Sequence, residues 1–136
     1  MKCILIILFL FIAPELHAQS FNKDSLRTYM ENIGIKYIDF SIAQAIHESA
    51  NFRSDLFINN HNLFGMRMPE RRKTTAIGVR RHYAVYRSWK ESVDDFLLMQ
   101  KGILKKHPTY SLYISYIYRN YASDPLYKQK LQKYIK

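Results

Sequence analysis

The stretch from Ala43 to Arg67, AQAIHESANFRSDLFINNHNLFGMR, combines an apolar helical pattern with a single glutamate and an asparagine-rich segment. Three- and four-residue spacing predicts a buried amphipathic helix from about Asp39 to Asn51, with Ile42, Ala45, Ile46 and Ser49 on one face. Glu48 then lies near the C-terminal end of that helix. Apolar neighbours and the negative end of the helix dipole both disfavour its ionised form and raise its pKa. Such a carboxyl group suits general acid catalysis near neutral pH.

The first 18 residues have the layout of a secretory signal peptide. Lys2 supplies a minimal positive region, Ile4–Ile12 is an unbroken apolar run, and Ala18 is a small residue at the expected cleavage point. The apolar run is shorter than the about 20 residues that a bilayer-spanning helix needs. We therefore expect residues 1–18 to direct export to the periplasm or beyond, with an uncleaved membrane anchor as the alternative.

The remaining segment, 19–136, is long enough for one hydrophobic core and too short for two. The chain's only cysteine, Cys3, lies in the leader, so the exported domain has no disulfide, thiol nucleophile or cysteine-based zinc site. A net charge of +10 favours anionic wall polymers, membrane surfaces or extracellular nucleic acid as partners. The alternative is that the basic residues only solvate the surface.

The patterns along the chain predict a mainly α, α+β domain. Asn22 or Asp24 can cap a first helix that Gly34 ends. Between Leu63 and Tyr86 the composition predicts a hairpin, with a strand over residues 80–86 that starts with a twist or bulge.

Three further helices are expected after this hairpin region. Ser88 and Glu91 form a capping box for the first, which His107-Pro108 ends. Residues 111–121 alternate apolar and aromatic side chains, a pattern that fits either strand or helix. Asp124-Pro125 predicts the start of a final helix that runs to about residue 135.

Four blocks of the sequence resemble the glucosaminidase family of bacterial cell-wall hydrolases. They are QAIHES around Glu48, NNHNLFGMR from Asn59, YAVYRSWKESVDDF from Tyr83 and YASDPLYKQKLQKYI from Tyr121. The resemblance implies a lysozyme-like helical lobe, a small β-hairpin lobe and a substrate groove between them, and it favours a helix at 111–121. It also implies an enzyme that cleaves peptidoglycan after N-acetylglucosamine, with Glu48 as the catalytic glutamate. We expect this exported enzyme to be a monomer that needs no cofactor.

The sequence departs from several members of this family, which carry a second acidic residue on the hairpin lobe. Residues 80–86 of this chain hold no carboxylate. We expect Glu70 to be a solvated loop charge, and Asp94 and Asp95 to be surface or ion-paired helix residues. Without a second acid, the 2-acetamido group of the substrate could act as the internal nucleophile.

The remaining candidate site residues each have a structural alternative. Tyr86 matches a family tyrosine thought to stabilise charge or position the sugar, and it could equally be a core aromatic. The expected substrate-binding residues are Asn60, Asn62, Phe64, Gly65 and Tyr83. The asparagines can equally form turns, Phe64 can belong to the core, and Gly65 can permit an unusual backbone angle.

Other chemistries fit the sequence less well. His47 and His61 do not form an HExxH pattern, and His47 and Glu48 are adjacent on a helix and point in different directions, so we expect no metal site. A non-catalytic peptidoglycan-binding module and a lytic transglycosylase or muramidase remain alternatives to a glucosaminidase. A basic protein specific for nucleic acid or membranes ranks below these three.

Overall fold

The computed structural model describes residues 21–135, so the predicted leader and its cleavage point lie outside the described part. Six helices and a two-stranded antiparallel sheet make up this part. Their bounds are α1 Lys23–Ile33, α2 Ile38–Glu48, α3 Asp55–Asn60, β1 Gly78–Arg80, β2 Tyr83–Val85, α4 Trp89–Lys106, α5 Tyr110–Asn120 and α6 Tyr127–Gln132. The prediction of a mainly helical α+β domain is confirmed. None of these helices is long and apolar enough to span a bilayer.

Helix α1 has the termini that the sequence predicts. The side chain of Asn22 accepts a hydrogen bond from the backbone of Ser25, whose hydroxyl accepts one from the backbone of Asn22. Gly34 follows the helix in the left-handed conformation, at φ 86°. The capping choice between Asn22 and Asp24 is therefore settled in favour of Asn22.

Helix α2 ends at Glu48, three residues before the predicted end at Asn51. The reason is backbone conformation, because Ala50, Asn51 and Phe52 all have positive φ angles and cannot continue a right-handed helix. Glu48 is consequently the last helical residue.

Helix α3 was not predicted, because the asparagine-rich segment reads as a turn. Ser54 caps it by accepting a hydrogen bond from the backbone N–H of Phe57 at 3.1 Å, and His61 ends it at φ 53°. Asn60 is its last residue and is buried.

The hairpin is present, but its strand starts later than predicted. Arg81 and His82 form the two-residue turn between β1 and β2, with φ angles of 51° and 69°. Positive φ at both turn positions matches the twist of a tight hairpin. Gly78 pairs with Val85, and Arg80 with Tyr83.

The last three helices confirm the choice of helix for residues 111–121 and correct one capping box and one helix start. Ser88 accepts from the N–H of Glu91, but the Glu91 carboxylate accepts from the N–H of Arg87 at 2.9 Å, so the predicted capping box is only half formed. Helix α6 begins at Tyr127 rather than at Pro125 and ends at Gln132 rather than at about Ile135. Asp124 instead caps the preceding turn, since its carboxylate accepts from the N–H of Leu126 at 2.8 Å.

Helix α2 lies between two groups of buried side chains. Ile42, Ala45 and Ile46 belong to a cluster with residues of α1, α4 and the 63–66 segment. Phe40 and Ala43, on its other side, belong to a cluster with residues of α5 and α6. Burial on both sides fixes α2 in the domain, and its end presents Glu48.

Candidate active site

Glu48 is a partly buried carboxyl group whose charge is poorly compensated. Its Oε1 is buried and has no hydrogen-bond partner within the described residues. Burial raises the pKa of Glu48 to about 7, and the nearby Tyr127 hydroxyl offsets part of that rise. Glu48 is therefore substantially protonated near neutral pH, as the sequence predicts.

A cavity of about 340 Å³ adjoins this carboxyl group, and we call it the acid cavity. The residues that line it come from the end of α2, from α3, from the segment after α3, from β2 and from the segment before α6: Glu48, Leu56, Gly65, Arg67, Tyr83, Tyr121, Ala122, Ser123 and Asp124. Five separate parts of the chain thus converge on one glutamate.

Gly65 makes room for the carboxylate. Its φ of 63° lies in the left-handed region, and a Cβ added there would stand 3.2 Å from Oε2 of Glu48. Only glycine provides both the backbone angle and the space at no cost. Gly65 therefore allows the backbone to approach the acid closely.

Asn62 and Asn60 hold the backbone around the site. Asn62 is fully buried, and its Oδ1 accepts from the N–H groups of Phe64 and Met66 while its Nδ2 donates to the carbonyls of Met66 and Ala84. The Asn60 amide donates to the carbonyls of Arg80 and Ala84 at 3.3 and 3.4 Å. These contacts join the 62–66 turn and α3 to the hairpin, in line with the turn-forming alternative.

Phe64 lies in the core rather than in the acid cavity. It is fully buried and stacks on Phe96, with ring centroids 4.0 Å apart. Its carbonyl accepts a 2.6 Å hydrogen bond from the hydroxyl of Tyr121. Its side chain therefore supports the segment that carries Gly65.

The two candidate tyrosines have different surroundings. Tyr83 lines the acid cavity, and the Arg67 guanidinium lies 5.7 Å from the centroid of its ring. Tyr86 is 1% exposed and donates a 2.6 Å hydrogen bond to Oδ2 of Asp95. Burial raises the pKa of Tyr86 above its ordinary value, and Asp95 adds to that rise. Tyr83 is therefore the one of the two that faces the acid cavity.

The acidic residues considered from the sequence are engaged or remote. Asp95 is fully buried and forms an ion pair with Arg72, and Asp94 accepts a 2.8 Å hydrogen bond from Tyr29. Glu70 is exposed and does not line the acid cavity.

Sequence reasoning missed three residues around the carboxyl group. Asp124 lines the acid cavity, but its oxygens are held by Lys130 at 2.5 Å and by the N–H of Leu126. Tyr121 lines the same cavity, and Tyr127 is buried beside Glu48 with its hydroxyl accepting from Gln44 at 3.3 Å. The YASDPLY block contains all three, and the four-residue spacing of Gln44 and Glu48 places both on one face of α2.

The family model described as mannosyl-glycoprotein endo-beta-N-acetylglucosaminidase matches residues 23–136. The chain belongs to the glucosaminidase family. Membership indicates glycoside hydrolase activity on a glycan. Comparison of this glucosaminidase with curated proteins and with solved structures gives no significant match.

Two further cavities of the glucosaminidase domain share lining residues with the acid cavity, and a third shares residues with one of these two. One of about 180 Å³ shares Leu56 and Tyr83 with it and is lined by Asp55, Asn59, Asn60, Arg80 and Arg81 as well. Another of about 340 Å³ shares Gly65, Arg67 and Tyr121 with it. A third, of about 490 Å³, continues from the second through Arg72, Met99, Ile103 and Tyr116.

The sequence predicts no metal site and calls for no cofactor. Over residues 21–135, no group of three or more His, Asp or Glu side chains is close enough together to hold a metal ion. His47 lies near Tyr127, with ring centroids 5.4 Å apart, and burial lowers its pKa. His61 is exposed and ends α3.

Proposed function

We propose that this glucosaminidase is an exported peptidoglycan hydrolase that cleaves the glycan strand after N-acetylglucosamine, with Glu48 as the general acid. The observation that carries the proposal is the partly buried Glu48 carboxyl group at the wall of a cavity of sugar-binding size, with its buried Oε1 free of any hydrogen-bond partner within the described residues. Its pKa of about 7 leaves a transferable proton at the pH of the cell exterior.

The first step is proton transfer from the Glu48 carboxyl group to the glycosidic oxygen. The bond from that oxygen to C1 of the N-acetylglucosamine breaks, the leaving sugar departs as an alcohol, and positive charge develops on C1. The acetamido oxygen of the same sugar attacks C1 and forms a cyclic oxazolinium ion. Water then opens this ion, with the Glu48 carboxylate accepting a proton from the water.

The engagement of the other acids supports this substrate-assisted route. Asp124 is the second carboxylate at the acid cavity, and Lys130 together with Leu126 already occupies its oxygens. The carboxylate of Asp95 is buried, where it pairs with Arg72 and accepts a hydrogen bond from Tyr86. A covalent glycosyl-enzyme on Glu70 or Asp95, detected by mass spectrometry, would contradict the route.

The remaining site residues have proposed roles that follow their positions. Tyr83 borders the substrate and stabilises the positive charge that develops on C1, while Gly65 leaves space for the acid. Tyr86 acts indirectly, as a positioning residue that fixes the end of β2 through Asp95. Asn60 lines the cavity of about 180 Å³ next to the acid cavity, where it can contact a bound sugar. Asn62 fixes the turn that carries Gly65 by accepting a hydrogen bond from the N–H of Met66.

The chain of adjoining cavities supports a substrate groove between the helical part and the hairpin. Two cavities share lining residues with the acid cavity at Glu48, as a binding cleft for several sugars requires. We assign the leader at residues 1–18 to export, because peptidoglycan lies outside the cytoplasm. The enzyme is expected to act as a monomer, and its positive charge to concentrate it near anionic wall or membrane-surface polymers.

The test is digestion of purified peptidoglycan by the mature enzyme and by Glu48→Gln, with product ends analysed by mass spectrometry. The expected products end in reducing N-acetylglucosamine and are absent with Glu48→Gln. Glu70→Gln is the matched control, because it removes an exposed carboxylate that lies away from the acid cavity and should retain full activity.

Other product ends would identify a different enzyme. Reducing N-acetylmuramic acid would make the protein a muramidase, and anhydro-sugar ends would make it a lytic transglycosylase. A folded wild-type protein that binds peptidoglycan but releases no fragments would be a binding module.

A further inference from the structure

Two cavities lead away from the acid cavity on the side of Gly65 and Tyr121, and we call them together the basic arm. Their lining includes four cationic side chains, those of Arg67, Arg71, Arg72 and Lys106, and no acidic one. The arm joins the acid cavity at shared residues, so a ligand that occupies one can extend into the other.

Most of these charges are available to a ligand. Arg72 is paired with Asp95, which is fully buried. Arg67, Arg71 and Lys106 are exposed, and none of them forms an ion pair with another residue in the 21–135 range. Three uncompensated cations along one cavity wall favour an anionic ligand.

The floor between the charges is apolar and aromatic. Met99, Ile103 and Tyr116 line both cavities of the arm. The ring of His107 packs against Tyr116, with centroids 4.6 Å apart. A ligand that fits this surface carries alkyl groups as well as negative charges, as an acidic peptide does.

From this arrangement, and resting on the proposed function, we propose that the basic arm binds the carboxylate-bearing peptide stem of peptidoglycan. The bond after N-acetylglucosamine joins it to N-acetylmuramic acid, whose lactyl group carries the peptide. The peptide therefore leaves the glycan beside the bond that Glu48 protonates. N-acetylglucosamine is uncharged, and the lactyl carboxyl group of stem-bearing N-acetylmuramic acid is an amide, so the stem is the part of the substrate that complements the arm.

The proposal predicts a preference for glycan that carries its stems. Two exposed cation–carboxylate contacts correspond to an affinity difference of about three- to tenfold. The wild-type enzyme should have a KM lower by that factor on an oligosaccharide with tetrapeptide stems than on the same oligosaccharide freed of them. The kcat values should be similar, since the stem lies away from the reacting atoms.

The test compares two double variants on both oligosaccharides. Arg71→Gln with Lys106→Gln removes two cations of the arm and should abolish most of the preference while leaving the stem-free substrate unaffected. Lys101→Gln with Lys105→Gln is the matched control. It removes two exposed cations from α4, the helix that also carries Lys106, and neither of them lines the arm. The control should keep the preference, although its net charge falls by the same amount.

Binding to Glu48→Gln separates this proposal from the proposed function. If the wild type cleaves neither oligosaccharide, the hydrolase proposal fails, and the affinities of Glu48→Gln for the two oligosaccharides still decide whether the arm recognises the stem. Equal affinities, or equal losses in both double variants, would overturn the proposal. Tighter binding of long-chain polyphosphate than of the stem-bearing oligosaccharide, lost when Arg71 and Lys106 are replaced, would make the arm a polyanion site instead.

Discussion

Replacing Gly65 by alanine should damage catalysis much more than folding. The new Cβ would stand 3.2 Å from Oε2 of Glu48, where ordinary contacts are 3.4–4 Å, so the carboxylate must move by a few tenths of an ångström. A misplacement of 1 Å can cost about a hundredfold in rate, and this smaller shift is expected to cost roughly tenfold in kcat. The positive φ of 63° adds about 1–2 kcal/mol of backbone strain.

Gly34 offers a matched control for that strain. Its φ is also positive, at 86°, but a Cβ added there meets no atom within 4 Å. Gly34→Ala and Gly65→Ala should therefore lose similar free energies of unfolding in urea, while only Gly65→Ala loses kcat on peptidoglycan. Equal activities in the two variants would refute the idea that Gly65 makes room for the acid.

Three further predictions concern buried groups. Asp95→Asn leaves Arg72 without its partner and should lower the free energy of unfolding by about 2–3 kcal/mol. Asp39→Asn breaks an exposed pair with Arg27 and should cost less than about 1 kcal/mol. Equal losses of the two variants in urea unfolding would contradict the role of burial in this difference. The pKa of Glu48 rises from an ordinary 4.5 to about 7 on folding, so its ionisation destabilises the fold as pH rises through that interval. Glu48→Gln should thus be more stable than the wild type by about 3 kcal/mol at pH 8 and nearly equal to it at pH 4, as thermal unfolding at the two pH values would show. Tyr127→Phe removes the hydroxyl that lowers the pKa of Glu48, so the midpoint of the alkaline loss of activity should move to higher pH. An unchanged midpoint in the pH profile of kcat/KM would show that this hydroxyl does not act on Glu48.

The sequence predicted the parts of the fold that depend on local patterns. The periodicity of α2, the Asn22 and Gly34 caps of α1 and the stop at His107-Pro108 are short-range signals, and the structure contains each of them. The pattern at 111–121 was ambiguous, because alternating aromatic residues can line either a strand or a helix. The resemblance to the family favoured the helix that is present.

The features that the sequence does not predict depend on unusual backbone angles or on contacts between distant residues. Arg81 and His82 turn the hairpin with positive φ, although neither residue is typical of such turns. Ala50 and Phe52 after α2 are likewise unusual at positive φ, whereas Asn51 between them tolerates it. Asn62 reads as a turn residue in sequence, but its links to the hairpin at Ala84 depend on the tertiary fold.

The sequence singles out three of the residues that line the acid cavity, Glu48, Gly65 and Tyr83, but not the others. Glu48 stands out in the sequence because it ends an apolar helix, and the structure places it at a cavity. Tyr127 and Asp124 are distant from it in sequence, and no local pattern indicates that α6 packs against α2. Tyr83 and Tyr86 are three residues apart on the same short segment, so only the packing shows which of them faces the cavity.

In the proposed mechanism, burial keeps Glu48 protonated so that it can donate a proton to the glycosidic oxygen. The first measurement is an NMR titration of the Glu48 carboxyl carbon, assigned with Glu48→Gln and compared with the pH dependence of kcat/KM on peptidoglycan fragments. Glu48 should titrate at about pH 7, and activity should fall with the same midpoint as pH rises. A Glu48 titration near its ordinary value of 4.5, with activity that persists unchanged above pH 8, would contradict this mechanism.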